Sequence, residues 1–304
     1  MTLPTGTNEF SRLLSEQGNY VITIEGTDWY EYSGFMVPAY LPHCCPQITA
    51  EIASGVLKAS GRPFARWDSK FGQVQESQWW YVLKRGAWAV EDVKDKKKRW
   101  MIRQGEKNFQ VRALTPAEVL TECPKVAQAA TSRYEGKAEV ETAEILQRRF
   151  TASVRVPGVL EYIGCFHEDT LVSFSENYIQ DGAVWLANIR HDPVFLNKYS
   201  SYALTSGLLN HYLNDRKMEY VLDGSRSIHH RTEFQDHLIR VFGFTKEYAV
   251  LNVAYSGMFR KTVNMAYPFK SLVWLLHSRW SNTFLDKVAG VLRQEQIRRD
   301  CTRL

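Results

Sequence analysis

The sequence has no apolar run of bilayer-spanning length, no cysteine pair at C-x-x-C spacing, no low-complexity tract and no short-period repeat. Each absence removes a class. A transmembrane helix needs about 18 consecutive apolar residues, and no segment supplies them. The five cysteines, Cys44, Cys45, Cys123, Cys165 and Cys301, are odd in number and irregularly spaced. Neither a disulfide framework nor a zinc ribbon follows from them, and reduced thiols are expected. The opening MTLPTGTNEFSRLL lacks the basic-then-apolar layout of a signal peptide, so a cytoplasmic location is the expectation. Charge of either sign is not in excess. The 38 Lys and Arg against 33 Asp and Glu leave a net +5, which permits an anionic partner without demanding one.

What is present is core material: 44% of the 304 residues are hydrophobic, enough for two domains or one large one. Residues 20–24 alternate as a strand. In the following TDWYEYSGFMVPAYLP, Gly34, Pro38 and Pro42 forbid a long helix, leaving strand or loop. Its aromatic residues Trp29, Tyr30, Tyr32, Phe35 and Tyr40 suit a core or interface, or the lining of an acceptor pocket. Thr49 is placed to N-cap a helix that Gly61 stops. Residues 63–67 and 79–83 read as strands.

The run KDKKKRWMIRQGEKNFQVRAL then gathers Lys94, Lys96, Lys97, Lys98, Arg99, Arg103 and Lys107, with Trp100 and Phe109 interleaved. Such a pattern is either a solvated helix face or a helix that meets a polyanion. A strand at 110–114 and a helix over 116–134 follow.

From about residue 151 the pattern changes to short strands at 154–156, 160–165, 170–175 and 182–189. Turns at Pro157-Gly158, His167-Glu168-Asp169 and Gln180-Asp181-Gly182 make this an antiparallel meander. Tyr202, Leu204, Leu208, Leu209, Tyr212 and Leu213 mark a helix. Next comes EYVLDGSRSIHHRTEFQDHLIRVFGFTKEYAVLNVAY, residues 219–255. Tyr220, Val221 and Leu222 form a strand that Asp223-Gly224-Ser225 breaks. Phe234, Leu238, Ile239, Val241 and Phe242 recur at helical spacing, Gly243 sits where a left-handed cap is wanted, and Tyr248, Val250, Leu251 and Val253 resume a buried strand. Residues 268–299 carry helical stripes that should pack on the body.

This grammar, with Gly243-Phe244 between helix and strand, resembles the end of the GNAT acyltransferase domain over 151–255. With WWYVLKR, KKKRWMIRQGEKNFQVR and DGSRSIHHRTEFQDHLIRVFGF, the chain is most similar to the FemAB-like group, which pairs two GNAT-like domains and moves aminoacyl groups from aminoacyl-tRNA to amines. The resemblance implies an α/β (α+β) fold of mixed, mostly antiparallel sheets flanked by helices, in tandem GNAT-like domains. These are expected at 1–150, with the basic helix, and at 151–304, with a C-terminal helix. It implies an N-acyltransferase that forms an amide on a primary amine of a small molecule or peptide. The expected donor is aminoacyl-tRNA, with no cofactor held permanently. Strands 185–189 and 220–222 should splay to expose an oxyanion-binding N–H. Donor contacts are expected from Lys198, Tyr199, Ser200, Ser201 and Tyr202, and tRNA contacts from Lys96, Lys97, Lys98, Arg99, Arg103 and Lys107.

Two departures keep alternatives open. Acyl-CoA enzymes of this superfamily commonly carry a Q-x-x-G-x-G-like phosphate loop, whereas residues 197–202 contain no glycine. The tyrosine that often precedes the Gly-Phe by four residues is Ile239 here. An acetyl-CoA or other acyl-CoA dependent enzyme is one alternative. A non-catalytic GNAT fold that binds RNA or protein is the other.

Arg226, His229 and His230, on the polar turn after the central strand, are candidates for proton transfer and anion binding. Asn188, with Arg190 and His191, offers acceptor contacts from the preceding strand. Glu233 and Asp236 fit helix capping. No metal site is expected, since adjacent Cys44 and Cys45 beside His43 cannot easily share one ion. A nucleophilic Cys165 is not needed where the amine attacks directly.

Overall fold

The computed structural model describes residues 8–131, 142–228, 233–280 and 282–301. In chain order the elements are α1 (Glu9–Glu16), β1 (Val21–Ile24), β2 (Thr27–Tyr32), β3 (Phe35–Pro38), α2 (Ala50–Ser60), β4 (Phe64–Ser69), β5 (Trp79–Arg85), α3 (Lys96–Asn108) and β6 (Gln110–Ala113). There follow α4 (Pro116–Thr121), α5 (Cys123–Thr131), α6 (Ala143–Arg155), β7 (Leu160–His167), β8 (Thr170–Gln180), β9 (Ala183–His191), α7 (Ser200–Leu209) and β10 (Tyr220–Ser225). The chain ends with α8 (Glu233–Phe242), β11 (Thr245–Tyr255), α9 (Gly257–Ala266), α10 (Lys270–Arg279) and α11 (Thr283–Cys301). Runs of consecutive strands, β1 to β3 and β7 to β9, are interleaved with helices, and most strand pairs are antiparallel, as a mixed α/β (α+β) fold requires.

Two compact units share the chain, and neither is a consecutive half. The first comprises 1–81, 225–233 and 246–304; the second comprises 82–224 and 234–245. This division differs from a boundary after residue 150, and it assigns the basic helix α3 to the second unit.

In the first unit the strand order is β1-β2-β3-β4-β11. The hairpin β2–β3 turns through Ser33 (φ 51°) and Gly34 (φ 89°), the left-handed pair a two-residue hairpin needs. β3 and β4 are parallel, paired only at Met36 opposite Ala65, and α2 makes the crossover between them. The Thr49 hydroxyl accepts from Ile52 N–H and Gly61 closes α2 at φ 66°, as the sequence predicts. Trp29, Met36, Ile52, Val56 and Ala65 form one core cluster. α11 brings Ile297 and Cys301 against Trp79, Ala249 and Leu251 in another, so the C-terminal helices do pack on the body.

In the second unit the order is β10-β9-β8-β7-β6, antiparallel except for parallel β9 and β10. β8 is buried along eight consecutive residues rather than alternately, because helices cover both faces. Leu146, Cys123, Val126 and Phe174 pack on one side. On the other, Gly207 lets α7 approach β6 so closely that an added Cβ would sit 2.5 Å from a Val111 methyl.

Three local readings change. Residues 154–156 are not a strand: Val154 and Arg155 end α6, whose N-terminus the Thr142 hydroxyl caps, and Val156 is its C-cap; the buried Leu146 and Ala152 fix the helical face and leave Val154 exposed. The helix over 116–134 is two helices, α4 and α5, parted at Glu122 before Pro124. Asp223-Gly224-Ser225 belongs to β10, which ends one residue before Arg226.

Candidate functional site

The second unit contains a parallel pair that opens. β9 and β10 pair at Ala183 with Tyr220, Val184 with Val221 and Trp185 with Leu222, and there the pairing ends. β9 runs on to His191 along β8, with a bulge: Asn188 faces Glu176 and Leu186 faces Asn177, so Ala187 is the extra residue. A bulge bends its strand and increases local twist, which accounts for β9 leaving β10 at this point. The sequence predicts the splay between 185–189 and 220–222, but Tyr220, Val221 and Leu222 are all paired, so the opening lies past Leu222.

Asp223 stands at the opening, one residue past the last pair. Gln235 of α8 donates its amide to the Asp223 carboxylate at 3.1 Å and to the Gly224 carbonyl at 3.3 Å, and Trp185 Nε1 donates to the Asp223 carbonyl at 3.3 Å. Gly224 takes φ 135° there, a backbone angle closed to ordinary side chains. Desolvation raises the Asp223 carboxyl to about 6, against the hydrogen bond from Gln235. A carboxyl in that range exchanges a proton near neutral pH. Sequence reading missed Asp223 because Asp-Gly is a turn signal; no local pattern distinguishes an Asp-Gly that ends a strand.

α7 is entered from Tyr199 in the left-handed region, φ 70°, with no side-chain cap on its first turn. Free N–H groups at a helix N-terminus favour an anion. Ser200 is fully buried, its hydroxyl has no hydrogen-bond partner, and its carbonyl accepts from Cys165 Sγ at 3.8 Å. Burial pushes the Cys165 thiol up to about 12, leaving it a donor and no nucleophile. Lys198 Nζ lies 3.4 Å from His167 Nε2, and the Ser201 carbonyl accepts from Thr205.

α3 packs directly on this end of α7. A Cβ at Gly105 would come within 2.8 Å of the Tyr199 carbonyl and 3.0 Å of Ala203 N. Lys98 Nζ donates to the Tyr202 hydroxyl at 3.1 Å, and Trp100 meets the Tyr199 ring edge-on at 5.6 Å. His237 of α8 contacts the Tyr202 ring, and its pKa is lowered by burial and by the charges of Lys98 and Arg240. Lys98 of the tRNA candidates and Tyr202 of the donor candidates, far apart in sequence, thus touch. Within the basic set, Arg99 donates to the Val93 carbonyl at 3.0 Å and Arg103 pairs with Glu91 at 3.0 Å. Lys96, Lys97 and Lys107 are exposed, with no ion pair to a described residue.

The remaining candidates separate. Asn188 donates to Glu176 at 3.2 Å, and Arg149 donates to the same carboxylate oxygen at 2.9 Å. Arg190 donates to the Ile189 carbonyl, and burial lowers His191, beside Ser173 Oγ, to about 4, so it stays neutral. Arg226 is a first-unit residue: it donates to the Gln78 carbonyl at 2.7 Å and lies over the Trp80 ring at 4.2 Å. His229 and His230 lie outside the described residues. Glu233 begins α8 and Asp236 is exposed on it; Gly243, at φ 68°, ends that helix, and Phe244 returns its N–H to the Leu238 carbonyl. Cys44 Sγ donates to the Leu41 carbonyl, and burial with the nearby Asp68 charge keeps the Cys45 thiol protonated. Among the described residues no three His, Cys, Asp or Glu side chains gather as metal ligands, and no helix is long and apolar enough to cross a membrane.

No protein-family model matches the sequence, and no curated protein matches it. Solved structures do. The C-terminal domain of a putative lysylphosphatidylglycerol synthetase from Agrobacterium fabrum aligns with TM-score 0.53 at 10% identity, covering 84% of this chain and 90% of that one. FemX aligns with TM-score 0.52 at 6% identity over 79% and 89%. L-PGS from Bacillus licheniformis aligns with TM-score 0.51 at 12% identity over 82% and 87%. At such identities the likeness is one of fold, and it spans most of each chain: the protein shares the fold of FemX and of these two lysylphosphatidylglycerol synthetase structures.

Proposed function

We propose that the second unit is an N-acyltransferase that forms an amide on a primary amine, with aminoacyl-tRNA as donor. The observation that carries this reading is the β9/β10 opening at the Ala187 bulge, with Asp223 at its edge. A neutral amine attacks the ester carbonyl carbon. Asp223 takes the amine proton, and a β9 N–H beyond Trp185 stabilises the oxyanion. The C–O bond then breaks and the ribose oxygen leaves with the proton that Asp223 took from the amine. Asn188 and Arg226, each held in hydrogen bonds, position their strand ends rather than carry protons.

The donor assignment rests on charge. The uncapped N-terminus of α7 suits a phosphate of either tRNA or CoA, but α3 beside it adds exposed lysines along a path longer than one pyrophosphate needs. The proposed acceptor is a small molecule or peptide bearing a free amine.

The test is binding to bulk tRNA across a salt series, with transfer of label from charged tRNA to amines. Lys96→Glu with Lys97→Glu should flatten the salt slope by about two charges and cut transfer, with stability changed by less than about 0.5 kcal/mol. Acetyl-CoA binding without tRNA binding would make CoA the donor. Binding to tRNA without transfer would leave a non-catalytic fold.

A further inference from the structure

The first unit holds a cavity of about 380 Å³, lined by α2, the end of β11, α9 and α11. Its size falls within the range of small-molecule sites. Ala50, Ser54 and Leu57 recur on one face of α2 and, with Val253 and Ala254, give it an apolar wall. The opposite wall is built from Tyr255, Arg260, Asn264, Glu295 and Arg298.

Glu295 organises that wall. It is 1% exposed and accepts from the Tyr255 hydroxyl at 3.0 Å, from Arg298 through Nε and Nη2 at 2.8 Å each, and from Arg299 Nε at 2.6 Å. Burial alone would raise its pKa, but the Arg298 and Arg299 hydrogen bonds outweigh that and leave it below the usual carboxylate range. Arg299 also donates to Asn264 at 3.3 Å and covers the Tyr267 ring at 3.8 Å, which ties α11 to α9. The single carboxylate therefore faces two guanidinium groups. Arg260 adds a third, exposed, with no acidic partner among the described residues. Of the charged residues lining the cavity, Arg260 and Arg298 outnumber Glu295, so the lining is net positive.

We propose that this cavity is a second ligand site, one that takes a compact oxyanion, a carboxylate or phosphate monoester, with a short apolar portion. The oxyanion meets Arg260 and the edge of Arg298, and the apolar portion lies along Leu57 and Val253. The site is made wholly of first-unit residues and does not depend on the acyl-transfer reading.

Isothermal titration calorimetry of the full chain with phenyl phosphate and with hexanoate tests it, with benzyl alcohol as the neutral control. Binding of at least one anion is expected, weakened tenfold or more by Arg260→Gln and abolished by Ser54→Trp, which fills the cavity. Lys125→Gln, an exposed lysine of the second unit paired with Glu122, should leave the affinity unchanged. Because Arg260 is exposed, Arg260→Gln should keep the wild-type melting temperature, so its lost affinity cannot be blamed on misfolding. Absence of binding by both anions, equal affinity in Arg260→Gln, or equal uptake of benzyl alcohol would overturn the assignment.

Discussion

The two units contain the same device in two conditions. In each, a strand, a helix and a parallel strand follow one another: β3, α2 and β4 in the first unit, β9, α7 and β10 in the second. The parallel pairing is brief in both, one residue pair against three. The first unit has closed its copy. Thr49 caps α2, and Glu51 puts a negative charge in its first turn. The second has left its copy open, entering α7 from a left-handed tyrosine without a cap and setting a basic helix beside it. The contrast shows that topology supplies the opening, whereas capping and charge decide whether it can hold an anion.

The two aspartates on the returning strands sharpen the contrast most. Asp68 on β4 accepts from Trp79 Nε1 at 2.5 Å and from the Tyr81 hydroxyl; burial raises its pKa against those bonds and the Arg66 charge. Asp223 on β10 has, among the described residues, the Gln235 amide alone. Asp223→Asn should lower the transfer rate by roughly a hundredfold or more and remove the ascending limb centred near pH 6 in kcat/KM. The same variant has a stability signature. A carboxyl raised from 3.8 to about 6 favours the folded state when protonated, and that advantage is lost as pH rises from about 4 through 6. Ionised above that range it costs roughly 3 kcal/mol, so Asp223→Asn should be stabilising at pH 8 and nearly neutral at pH 4 in urea denaturation. Asp68→Ala should do the reverse, destabilising by about 3 kcal/mol by stranding two buried donors and sparing transfer per folded molecule. A transfer rate untouched by Asp223→Asn would end the comparison.

Steric tolerance is the next difference. Gly105→Val should cost about 2–4 kcal/mol, because backbone atoms of α7 have no side-chain freedom with which to retreat. Gly55→Ala on α2 meets only a methyl of Ile24 at 3.1 Å and should cost less than about 1 kcal/mol. Equal thermal shifts in the two variants would mean that α3 is not locked to α7 through its glycine.

The smallest effects concern the caps. Thr49→Ala should destabilise by about 1 kcal/mol, the usual loss for a satisfied cap. Ser200→Ala removes a buried hydroxyl that has no partner and should be neutral or slightly stabilising in the same assay. A large loss on Ser200→Ala would imply a structural bond for that hydroxyl and undercut the open reading of α7.

Local chemistry made much of this legible in advance. Thr49 and Gly61 bracket α2, Gly243-Phe244 ends α8, and the basic run is a helix, because capping and charge act over a few residues. The order of β9, α7 and β10 followed from the resemblance, and with it the splay of β9 from β10, though not its start past Leu222. What stayed hidden depends on distant partners. Val154 and Val156 suggested a strand until the buried Leu146 and Ala152 decided the face of α6. Nothing near Gly105 announces that α3 will pack on a helix nearly a hundred residues later, and the Ala187 bulge exists only relative to β8.

The discontinuity of the first unit bears on the order in which the protein is made. Trp79 is synthesised well before Ala249, Leu251, Ile297 and Cys301, which cover it. The chain for the second unit is nearly complete at Phe242, before β11 begins. On a translating ribosome the interior unit is therefore able to close before the first, whose residues around Trp79 keep their apolar surface uncovered until β11 and α11 are made.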